Sequence, residues 1–329
     1  MKKINVLDLF SGAGGFSLGF SYEPEYDIKL SIDYDKKLSE TYIKNFPKIE
    51  HLSRDILSFS EKEIEQLNKK YKFDVIIGGP PCQGFSIAGK IGRNELEDKR
   101  NDLFEGYLNF VKIIKPKVFV IENVARLAIH NKGNTLKKIL ELFTNEGYIL
   151  QYKVLNSKDY GIAQNRSRIF IVGTQKKGFS FPEKNKKILT IKEVIDDLPK
   201  LKSGESSEIP NHIAMKHTEQ MLKKMQYVTD GGDRNDIPLE LRPKSGDIRK
   251  YIRYNSKEPS ICITGDMRKV FHYNQNRALT NRELARIQSF PDSYIFSGNS
   301  IVIQQQIGNA VPPKLSNLIA KKIKEFLNE

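Results

Sequence analysis

Cysteine is scarce in this chain of 329 residues, which contains Cys82 and Cys262 and has no CxxC pair. Two cysteines cannot build a disulfide framework in a chain of this length. The lack of a CxxC pair also excludes the common zinc sites and thioredoxin-like redox sites. We therefore expect a protein of a reducing, intracellular compartment.

Long apolar runs are absent as well, since no stretch approaches the ~18 apolar residues that a membrane-spanning helix needs. The opening Met-Lys-Lys imitates a signal peptide, but Asp8 interrupts the apolar run from Val6 to Phe10 and no small-residue cleavage site follows. With 39% hydrophobic residues, 22 glycines and 14 prolines, the composition is typical of a folded chain. We expect neither secretion nor membrane insertion.

Positive charge is in excess, because lysine and arginine total 54 against 40 aspartate and glutamate residues, a formal net charge of +14. This excess favours a polyanionic partner, either nucleic acid or an anionic membrane surface. The basic residues are spread along the chain without a block of like charges, so a general surface bias explains them equally well. Charge alone therefore suggests nucleic acid without establishing it.

The first half of the chain alternates apolar runs with longer amphipathic segments, the pattern of βαβ units around a parallel sheet. The runs predicted to be strands are Ile4–Leu9, Ile28–Ile32, Phe73–Ile77, Val118–Ile121, Tyr148–Leu155 and Arg168–Gly173. The segments with helical spacing between them are Lys36–Asn45, Glu61–Lys70 and Leu103–Ile114. We predict an α/β fold with a doubly wound sheet, which binds ligands beyond the carboxyl ends of its strands.

The composition of the sequence changes after Thr174, where Lys, Ser, Pro and Gly become frequent and the hydrophobic periodicity weakens. Helical spacing returns over Asn281–Gln288 and Lys314–Leu327. Chains longer than ~250–300 residues usually split into domains. We predict a first domain over residues 1–189 that is completed by 300–329, a smaller irregular domain over 190–280, and a hinge over 281–299.

A glycine-rich turn, within Asp8–Phe16, follows the first predicted strand and precedes a helix, so ligands can approach its backbone closely. Asp33 ends the second strand, about twenty residues on, where a carboxylate can accept the ribose hydroxyls of an adenosine-type cofactor. The dinucleotide fingerprint requires Gly or Ala where this chain has Ser17, which disfavours a nicotinamide cofactor. A turn that serves only the backbone is the alternative.

Cys82 and Glu122 are both expected at the carboxyl edge of the sheet, because each follows or ends a predicted strand. Prolines and glycines around Cys82 leave room for a flat substrate, although a free cysteine is more often a small buried hydrophobe. Burial raises the pKa of a carboxyl group, so Glu122 is a candidate proton donor, the alternative being a cap of the next turn.

A nucleophile and an acid without metal ligands suit conjugate addition to a ring that is protonated on nitrogen as the sulfur attacks. No histidine lies in a motif with Cys82, so protease-like catalysis has no support. Zinc deaminases need further ligands near a Pro-Cys motif, and the sequence has none there.

Eight segments together, in this order, closely resemble the DNA (cytosine-5)-methyltransferases of bacterial modification systems. The segments are Asp8–Phe16, Asp33–Tyr34, Arg54–Ile56, Gly79–Ser86, Glu122–Val124, Gln164–Arg168, Arg277–Pro291 and Gln306–Val311. The resemblance implies a Rossmann-like S-adenosylmethionine-dependent methyltransferase sheet with a second, smaller irregular target-recognition domain at 190–280. It spans most of the chain, and only residues of about 190–275 lack motifs of that family.

The resemblance also implies a mechanism and its catalytic residues. Cys82 would attack carbon 6 of a flipped-out cytosine while Glu122 protonates ring nitrogen 3, so that carbon 5 accepts the methyl group of S-adenosylmethionine. Arg168 would contact the base carbonyl, and Asn123 and Arg166 would support that geometry. Arginines on a solvated strand face are the alternative for Arg166 and Arg168.

The cofactor pocket implied by the resemblance combines the glycine turn with residues beyond the following strands. Its members would be Phe10, Gly12, Gly14, Gly15, Asp33, Tyr34, Asp55, Ile56, Pro80, Leu103, Asn309 and Val311. Position 34 is often tryptophan in relatives, and this chain has no tryptophan at all. Tyr34 keeps a stacking face for adenine but has less area, which puts the affinity in doubt.

Contacts to DNA are expected from basic residues of region 190–280 and from the loop that begins at Ser86, which resembles a loop that closes over DNA. The candidates are Ser86, Arg234, Arg242, Lys244, Arg249, Arg253, Arg268 and Lys269. Each basic residue fits a solvated surface charge equally well.

The expected activity is therefore site-specific methylation of double-stranded DNA by a cytoplasmic, nucleoid-associated monomer, which protects that DNA from a restriction endonuclease that acts independently. A tRNA cytosine methyltransferase is the nearest alternative, although that branch usually has a shorter recognition region. A silent DNA-binding protein would be expected to have lost Cys82, Glu122 or the glycine turn, and a nicotinamide-dependent oxidoreductase would bind NAD.

Overall fold

The computed structural model describes residues 3–81, 100–243 and 250–329, and of residues 100–102 the backbone alone. The chain divides into two compact units. The first unit comprises Met1–Asn156, Ser167–Glu183 and Leu315–Glu329, and the second comprises Ser157–Arg166 and Lys184–Lys314. The first unit therefore contains Glu122 and the glycine turn, while Arg166, Asn309 and Val311 belong to the second unit.

Seven strands in the described part of the first unit form one sheet: β1 (Ile4–Leu9), β2 (Tyr26–Asp33), β3 (Glu50–Ser53), β4 (Val75–Gly78), β5 (Val118–Val124), β6 (Ile149–Asn156) and β7 (Ser167–Thr174). Their spatial order is β3-β2-β1-β4-β5-β7-β6. Strands β1 to β5 run parallel, and β7 is antiparallel to both of its neighbours. The order reverses between β1 and β4, the kind of point at which such sheets bind ligands.

The helices described are α1 (Gly15–Ser21), α2 (Lys36–Asn45), α3 (Glu61–Tyr71), α4 (Arg100–Ile114), α5 (Asn134–Asn145), α6 (Ile191–Ile195), α7 (Glu219–Tyr227), α8 (Asn281–Ile287), α9 (Ser300–Asn309) and α10 (Pro313–Asn328). Helices α6 to α9 belong to the second unit. Among the described residues, no helix is long and apolar enough to cross a membrane.

One face of the sheet is covered by α3, α4 and α5, which share a buried apolar cluster with the strands. Phe119 of β5 lies in that cluster, with its ring centroid 4.5 Å from Phe143 of α5 and 5.0 Å from Tyr148. Burial of aromatic side chains on this scale dominates the energetics of a core. The sheet is therefore held rigidly from this side.

The C-terminal helix α10 contacts α1 and β2 of the first unit, which includes Leu315–Glu329. The buried hydroxyl of Ser316 donates a hydrogen bond to the Phe16 carbonyl at 2.7 Å. Tyr26 of β2 likewise donates to the carbonyl of Ala320 at 2.7 Å. These contacts join α10 to α1 and to β2, next to the glycine turn.

Helix starts in both units use capping boxes, in which a Ser or Thr and a Glu three residues later exchange hydrogen bonds. Ser60 and Glu63 form the box at α3, and Thr190 and Glu193 form it at α6. A third box, of Thr280 and Glu283, begins α8. These pairs explain locally why the chain turns into a helix at these points.

The second unit has little regular structure, which agrees with the weak periodicity of its sequence. Its described strands are the short parallel pair β8 (Ile252–Arg253) and β9 (Val270–Phe271). A small buried cluster is formed by Met225, Val228, Ile237 and Phe271. Further apolar side chains of the unit, among them Leu198, Ile263 and Leu284, are also buried.

Most predicted elements are observed with bounds shifted by one to three residues, while β1 and α2 have the predicted bounds. The described strands and α-helices that the sequence did not indicate are β3, β8, β9, α5, α7 and α9, together with the single-turn helix α6. Strand β3 has only four residues, and α5 begins after Gly133 with no side-chain cap. Both therefore lack the usual local signals.

Gly173 of β7 pairs with Phe119 of β5, and a Cβ added to Gly173 would overlap the Phe119 ring. We expect Gly173→Ala to lower the free energy of unfolding by about 1–3 kcal/mol, because a well-packed core must shift to admit a methyl group. Chemical denaturation of the purified variants measures this. Adding Phe119→Leu to Gly173→Ala should cost less than the sum of the single changes, and strict additivity would contradict the contact.

Candidate active site

The carboxyl ends of four parallel strands lie side by side in the first unit. Leu9 of β1 is in register with Ile32 of β2 and with Gly78 of β4, and Gly78 is in register with Ile121 of β5. Because β7 is antiparallel, its amino end reaches the same edge, where Arg168 is in register with Val124. Chain segments distant in sequence are thereby brought to one edge.

Glu122 and Arg168 form an ion pair at this edge, with 3.2 Å between the Arg168 Nε and a Glu122 carboxylate oxygen. Glu122 is only 8% exposed, so its carboxyl group is largely shielded from water. A Cβ added to Gly79 would lie 3.5 Å from the other carboxylate oxygen of Glu122. The backbone after β4 therefore passes within van der Waals reach of this acid.

Asn123 fastens the same backbone segment to β5, since its buried side-chain amide donates to the Pro80 carbonyl at 2.8 Å. Its side-chain oxygen accepts the backbone N–H of Val124 at 2.8 Å. The chain that leads from β4 towards Cys82 is thus anchored beside Glu122 as far as Pro80. Cys82 itself lies outside the described residues, as does Ser86.

The glycine turn adopts a backbone that few side chains tolerate. Gly12 and Gly14 have φ values of 53° and 81°, and Phe10 also has a positive φ of 57°. Asp33 holds the turn, because one carboxylate oxygen accepts the backbone N–H of Gly12 at 2.8 Å and the other accepts that of Asp35 at 2.8 Å. Burial raises the pKa of Asp33, which these two hydrogen bonds partly offset.

The residues after β2 and β3 complete this part of the edge. The Tyr34 side chain, directly after Asp33, is 76% exposed and offers a free aromatic face. The Asp55 carboxylate accepts the backbone N–H of Leu57 at 2.9 Å. Ile56 is buried in the apolar cluster, against which Leu103 of α4 also packs.

Asp8 is a residue of this region to which the sequence assigned no role. It is fully buried on β1 and accepts a hydrogen bond from the Ser17 hydroxyl at 2.6 Å. Burial raises the pKa of Asp8 to about 7, the Ser17 hydrogen bond lowers it, and the nearby charge of Asp33 raises it. The signal available in the sequence was an aspartate inside an apolar strand.

Several predicted residues lie in the second unit. Arg166 is 1% exposed and donates to the carbonyls of Gly308 at 2.7 Å and Ala310 at 3.1 Å. Its guanidinium therefore organises the backbone on either side of Asn309, which is exposed, while Val311 is buried. The catalytic support predicted for Arg166, and the cofactor contacts predicted for Asn309 and Val311, stay predictions.

The residues of the second unit that are predicted to contact DNA differ in the exposure of their side chains and in how many of their N–H groups already donate hydrogen bonds. Arg253 is 6% exposed, and all five of its N–H groups donate to acceptors, which are the carbonyls of Met225, Val228, His272 and Gln275 and the side chain of Asn276. The Arg253 side chain therefore joins these segments of the second unit by hydrogen bonds and has no N–H group left to donate to a nucleic acid.

Arg234 and Arg242 donate to backbone carbonyls of their own turn, those of Pro243, Ile237 and Asn235. Arg268 is exposed and paired through two hydrogen bonds with Asp266, and Lys269 lies 5.0 Å from the ring centroid of Tyr251. Lys244 and Arg249 lie outside the described residues. Arg268 is thus the most exposed of the candidate arginines that the structure describes.

The mixed seven-stranded sheet, with a glycine turn after β1, a carboxylate at the end of β2 and a buried acid near the end of β5, is consistent with a methyltransferase of the Rossmann-like type. The model of the family described as C-5 cytosine-specific DNA methylase matches residues 4–325. The chain belongs to this family and is a C-5 cytosine-specific DNA methyltransferase.

Individual relatives agree with this assignment. Type II methyltransferase M1.HphI of Haemophilus parahaemolyticus is 52% identical over 322 residues, which is 97% of this chain and 86% of that protein. Type II methyltransferase M.DdeI of Desulfomicrobium norvegicum is 34% identical over 376 aligned positions, covering 97% of this chain and 88% of that protein. A solved structure described as a prophage-encoded DNA modification methyltransferase of Escherichia coli superimposes with a TM-score of 0.82 at 25% identity, covering 99% and 100% of the two chains.

The raised pKa of Asp8 predicts a pH dependence of stability. Between about pH 4 and pH 7 the folded chain holds a proton on Asp8 that the unfolded chain releases, so this group lowers the free energy of unfolding as the pH rises. In Asp8→Asn this contribution is absent. We expect the melting temperature of the variant, relative to the wild type, to increase from pH 5 to pH 8, as measured by calorimetry. A constant difference would contradict the assignment.

Proposed function

We propose that this protein transfers a methyl group from S-adenosylmethionine to carbon 5 of a flipped-out cytosine in a short duplex DNA target, through a covalent adduct with Cys82. The proposed role is that of a Type II modification enzyme, which protects DNA from a restriction endonuclease that acts independently. The proposed form is a monomer that acts on DNA in the cytoplasm, in contact with the nucleoid. The Type II relatives support this role.

The glycine turn and its neighbours fit S-adenosylmethionine, which supplies an electrophilic methyl group when it is bound. The turn exposes backbone where a Cβ at Gly12 would meet no atom closer than 4.0 Å. The Asp33 carboxylate, which ends β2 beside the turn and accepts the Gly12 N–H, is the proposed partner of the ribose hydroxyls, and the exposed ring of Tyr34 is the proposed stacking face for adenine. The rest of this proposed pocket is lined by Asp55, Ile56, Pro80 and Leu103.

The ion pair of Glu122 and Arg168, beside the backbone that leads to Cys82, is the observation that carries the proposed chemistry. Attack of the Cys82 thiolate on carbon 6 of cytosine forms a carbon–sulfur bond and pushes electrons towards the ring. Glu122 starts this step protonated, delivers its proton to nitrogen 3 and becomes the carboxylate that pairs with Arg168, while Arg168 also offsets negative charge on the base carbonyl. Carbon 5 becomes nucleophilic as a result.

The ring is restored in two further steps. After carbon 5 has accepted the methyl group, it loses its proton to a base, and the electron pair of that bond expels the Cys82 sulfur. The proton on nitrogen 3 returns to Glu122, so the enzyme ends in its starting protonation state. Arg168, at 3.2 Å, keeps Glu122 oriented through the cycle.

DNA recognition is assigned to the second unit, as the weak regularity and the basic residues of that unit suggest. Arg268 and Lys269 are the proposed contacts of highest priority, because Arg268 is exposed and Asp266 fixes the orientation of its guanidinium. An arginine braced in this way can present its remaining N–H groups to a base edge or a phosphate. Arg253 is left out of the proposed contacts for the reason given above.

Bisulfite sequencing of plasmid DNA from cells that express the protein tests the function. We expect conversion-resistant cytosines at one short sequence in cells with the wild type and none in cells with Cys82→Ser. For Glu122→Gln we expect a rate of DNA methylation at least about 100-fold lower, because the general acid is lost. Cys262→Ser is the matched control, since it removes the other cysteine and should keep full methylation.

The same preparations are assayed with duplex DNA and with tRNA as methyl acceptors. Preference for tRNA would assign the enzyme to RNA instead, and full methylation by Cys82→Ser would refute the covalent mechanism.

A further inference from the structure

Three buried side chains beneath the glycine turn form a continuous hydrogen-bonded chain. The Ser17 hydroxyl donates to the Asp8 carboxylate at 2.6 Å, and the Tyr42 hydroxyl lies 2.7 Å from the same Ser17 oxygen. All three residues have no measurable exposure. Since Ser17 has a single hydroxyl hydrogen and gives it to Asp8, Tyr42 is the donor to Ser17.

This chain joins the two helices that begin directly after the proposed cofactor contacts. Ser17 is in α1, which starts at Gly15 of the glycine turn. Tyr42 is in α2, which starts two residues after Tyr34. Asp8 of β1 anchors both from within the sheet. The Gly12–Asp33 hydrogen bond and the pairing of β1 with β2 already tie the turn to the segment from Asp33 to Tyr34, and the Ser17–Tyr42 hydrogen bond adds a buried link between the two helices that follow them.

Tyr42 is itself held in place from the other side. Its ring stacks on that of His51 of β3, with 5.2 Å between the ring centroids and 29° between their planes. The two ring nitrogens of His51 lie 2.8 Å from the Ser31 hydroxyl and 2.7 Å from the Ser39 hydroxyl. These contacts leave the Tyr42 hydroxyl little freedom to move away from Ser17.

The sequence of the turn leaves the start of α1 without a side-chain cap, so the hydrogen bonds of Ser17 are additional contacts that hold this helix. Gly14 occupies the cap position of α1 with φ 81° and has no side chain with which to cap the helix. Ser17 stands where a dinucleotide-binding turn requires Gly or Ala, so its hydroxyl is not a requirement of close packing. A buried hydroxyl also carries a desolvation cost unless it is paired, and Asp8 and Tyr42 supply that pairing.

We propose that Asp8, Ser17 and Tyr42 are positioning residues that fix α1 against α2, and thereby contribute to the placement of the glycine turn and the Asp33–Tyr34 segment and to the affinity for S-adenosylmethionine. None of the three touches the proposed substrate, and they act through the two segments that do. The inference rests on the proposed function, because it assumes that these segments hold the cofactor.

The test uses the full chain and isothermal titration with S-adenosylmethionine, followed by methyl-transfer kinetics on duplex DNA. Tyr42→Phe and Ser17→Ala each remove one hydroxyl and should weaken cofactor binding by about tenfold, the worth of one buried hydrogen bond. The kcat at saturating cofactor should change less than twofold, because Glu122 and Arg168 are not part of the chain. Asp8→Asn keeps an acceptor for Ser17 and should bind more tightly than Asp8→Ala.

Tyr148→Phe is the matched control, since Tyr148 is another buried tyrosine of the first unit whose hydroxyl donates to the Pro116 carbonyl at 2.8 Å. It should keep the wild-type affinity. Unchanged affinity in both Tyr42→Phe and Ser17→Ala, or an equal loss in Tyr148→Phe, would overturn the inference. If Ser17→Ala does not fold, Tyr42→Phe decides alone.

The wild type separates this inference from the proposed function. If the wild-type chain binds no S-adenosylmethionine, the proposed function itself fails and the inference with it. If the wild type binds and methylates DNA while the hydroxyl variants behave like it, only the positioning role is wrong.

Discussion

The register of the sheet is the constraint on which the candidate site depends. Leu9, Ile32, Gly78 and Ile121 are linked through neighbouring strands, so the segments that follow β1, β2, β4 and β5 leave the sheet at one edge. The antiparallel β7 adds Arg168 to that edge from the opposite chain direction. A shift of one residue in the β5–β7 pairing would place Glu122 and Arg168 on opposite faces of the sheet and separate the ion pair.

In the described part of the second unit, buried arginines contribute to the packing alongside the buried apolar side chains. Arg253, Arg277 and Arg282 are each almost completely buried and donate to backbone carbonyls of neighbouring turns. Arg277 also forms two hydrogen bonds with the buried Glu283, at 2.8 and 2.6 Å. The guanidinium groups therefore satisfy buried backbone carbonyls of the second unit, as the hydrogen bonds between strands do in the sheet of the first unit.

The sequence alone was sufficient for the fold class and for the elements with strong periodicity, because alternation and helical spacing are local properties. It also indicated Glu122 and the glycine turn, since strand ends and glycines can be read directly. It did not indicate the chain of Asp8, Ser17 and Tyr42, because that contact depends on how α1 and α2 pack. It also suggested a DNA contact for Arg253, since a list of charges contains no information on burial.

The proposed covalent bond between Cys82 and cytosine is tested most directly by trapping the protein–DNA adduct. Duplex DNA with 5-fluorocytosine at the target position is incubated with the protein and S-adenosylmethionine, and the product is mapped by mass spectrometry. Fluorine cannot leave carbon 5 as a proton does, so the account predicts a stable adduct on the peptide that contains Cys82. Methylation of normal DNA without any trapped adduct, or an adduct on Cys262, would contradict it.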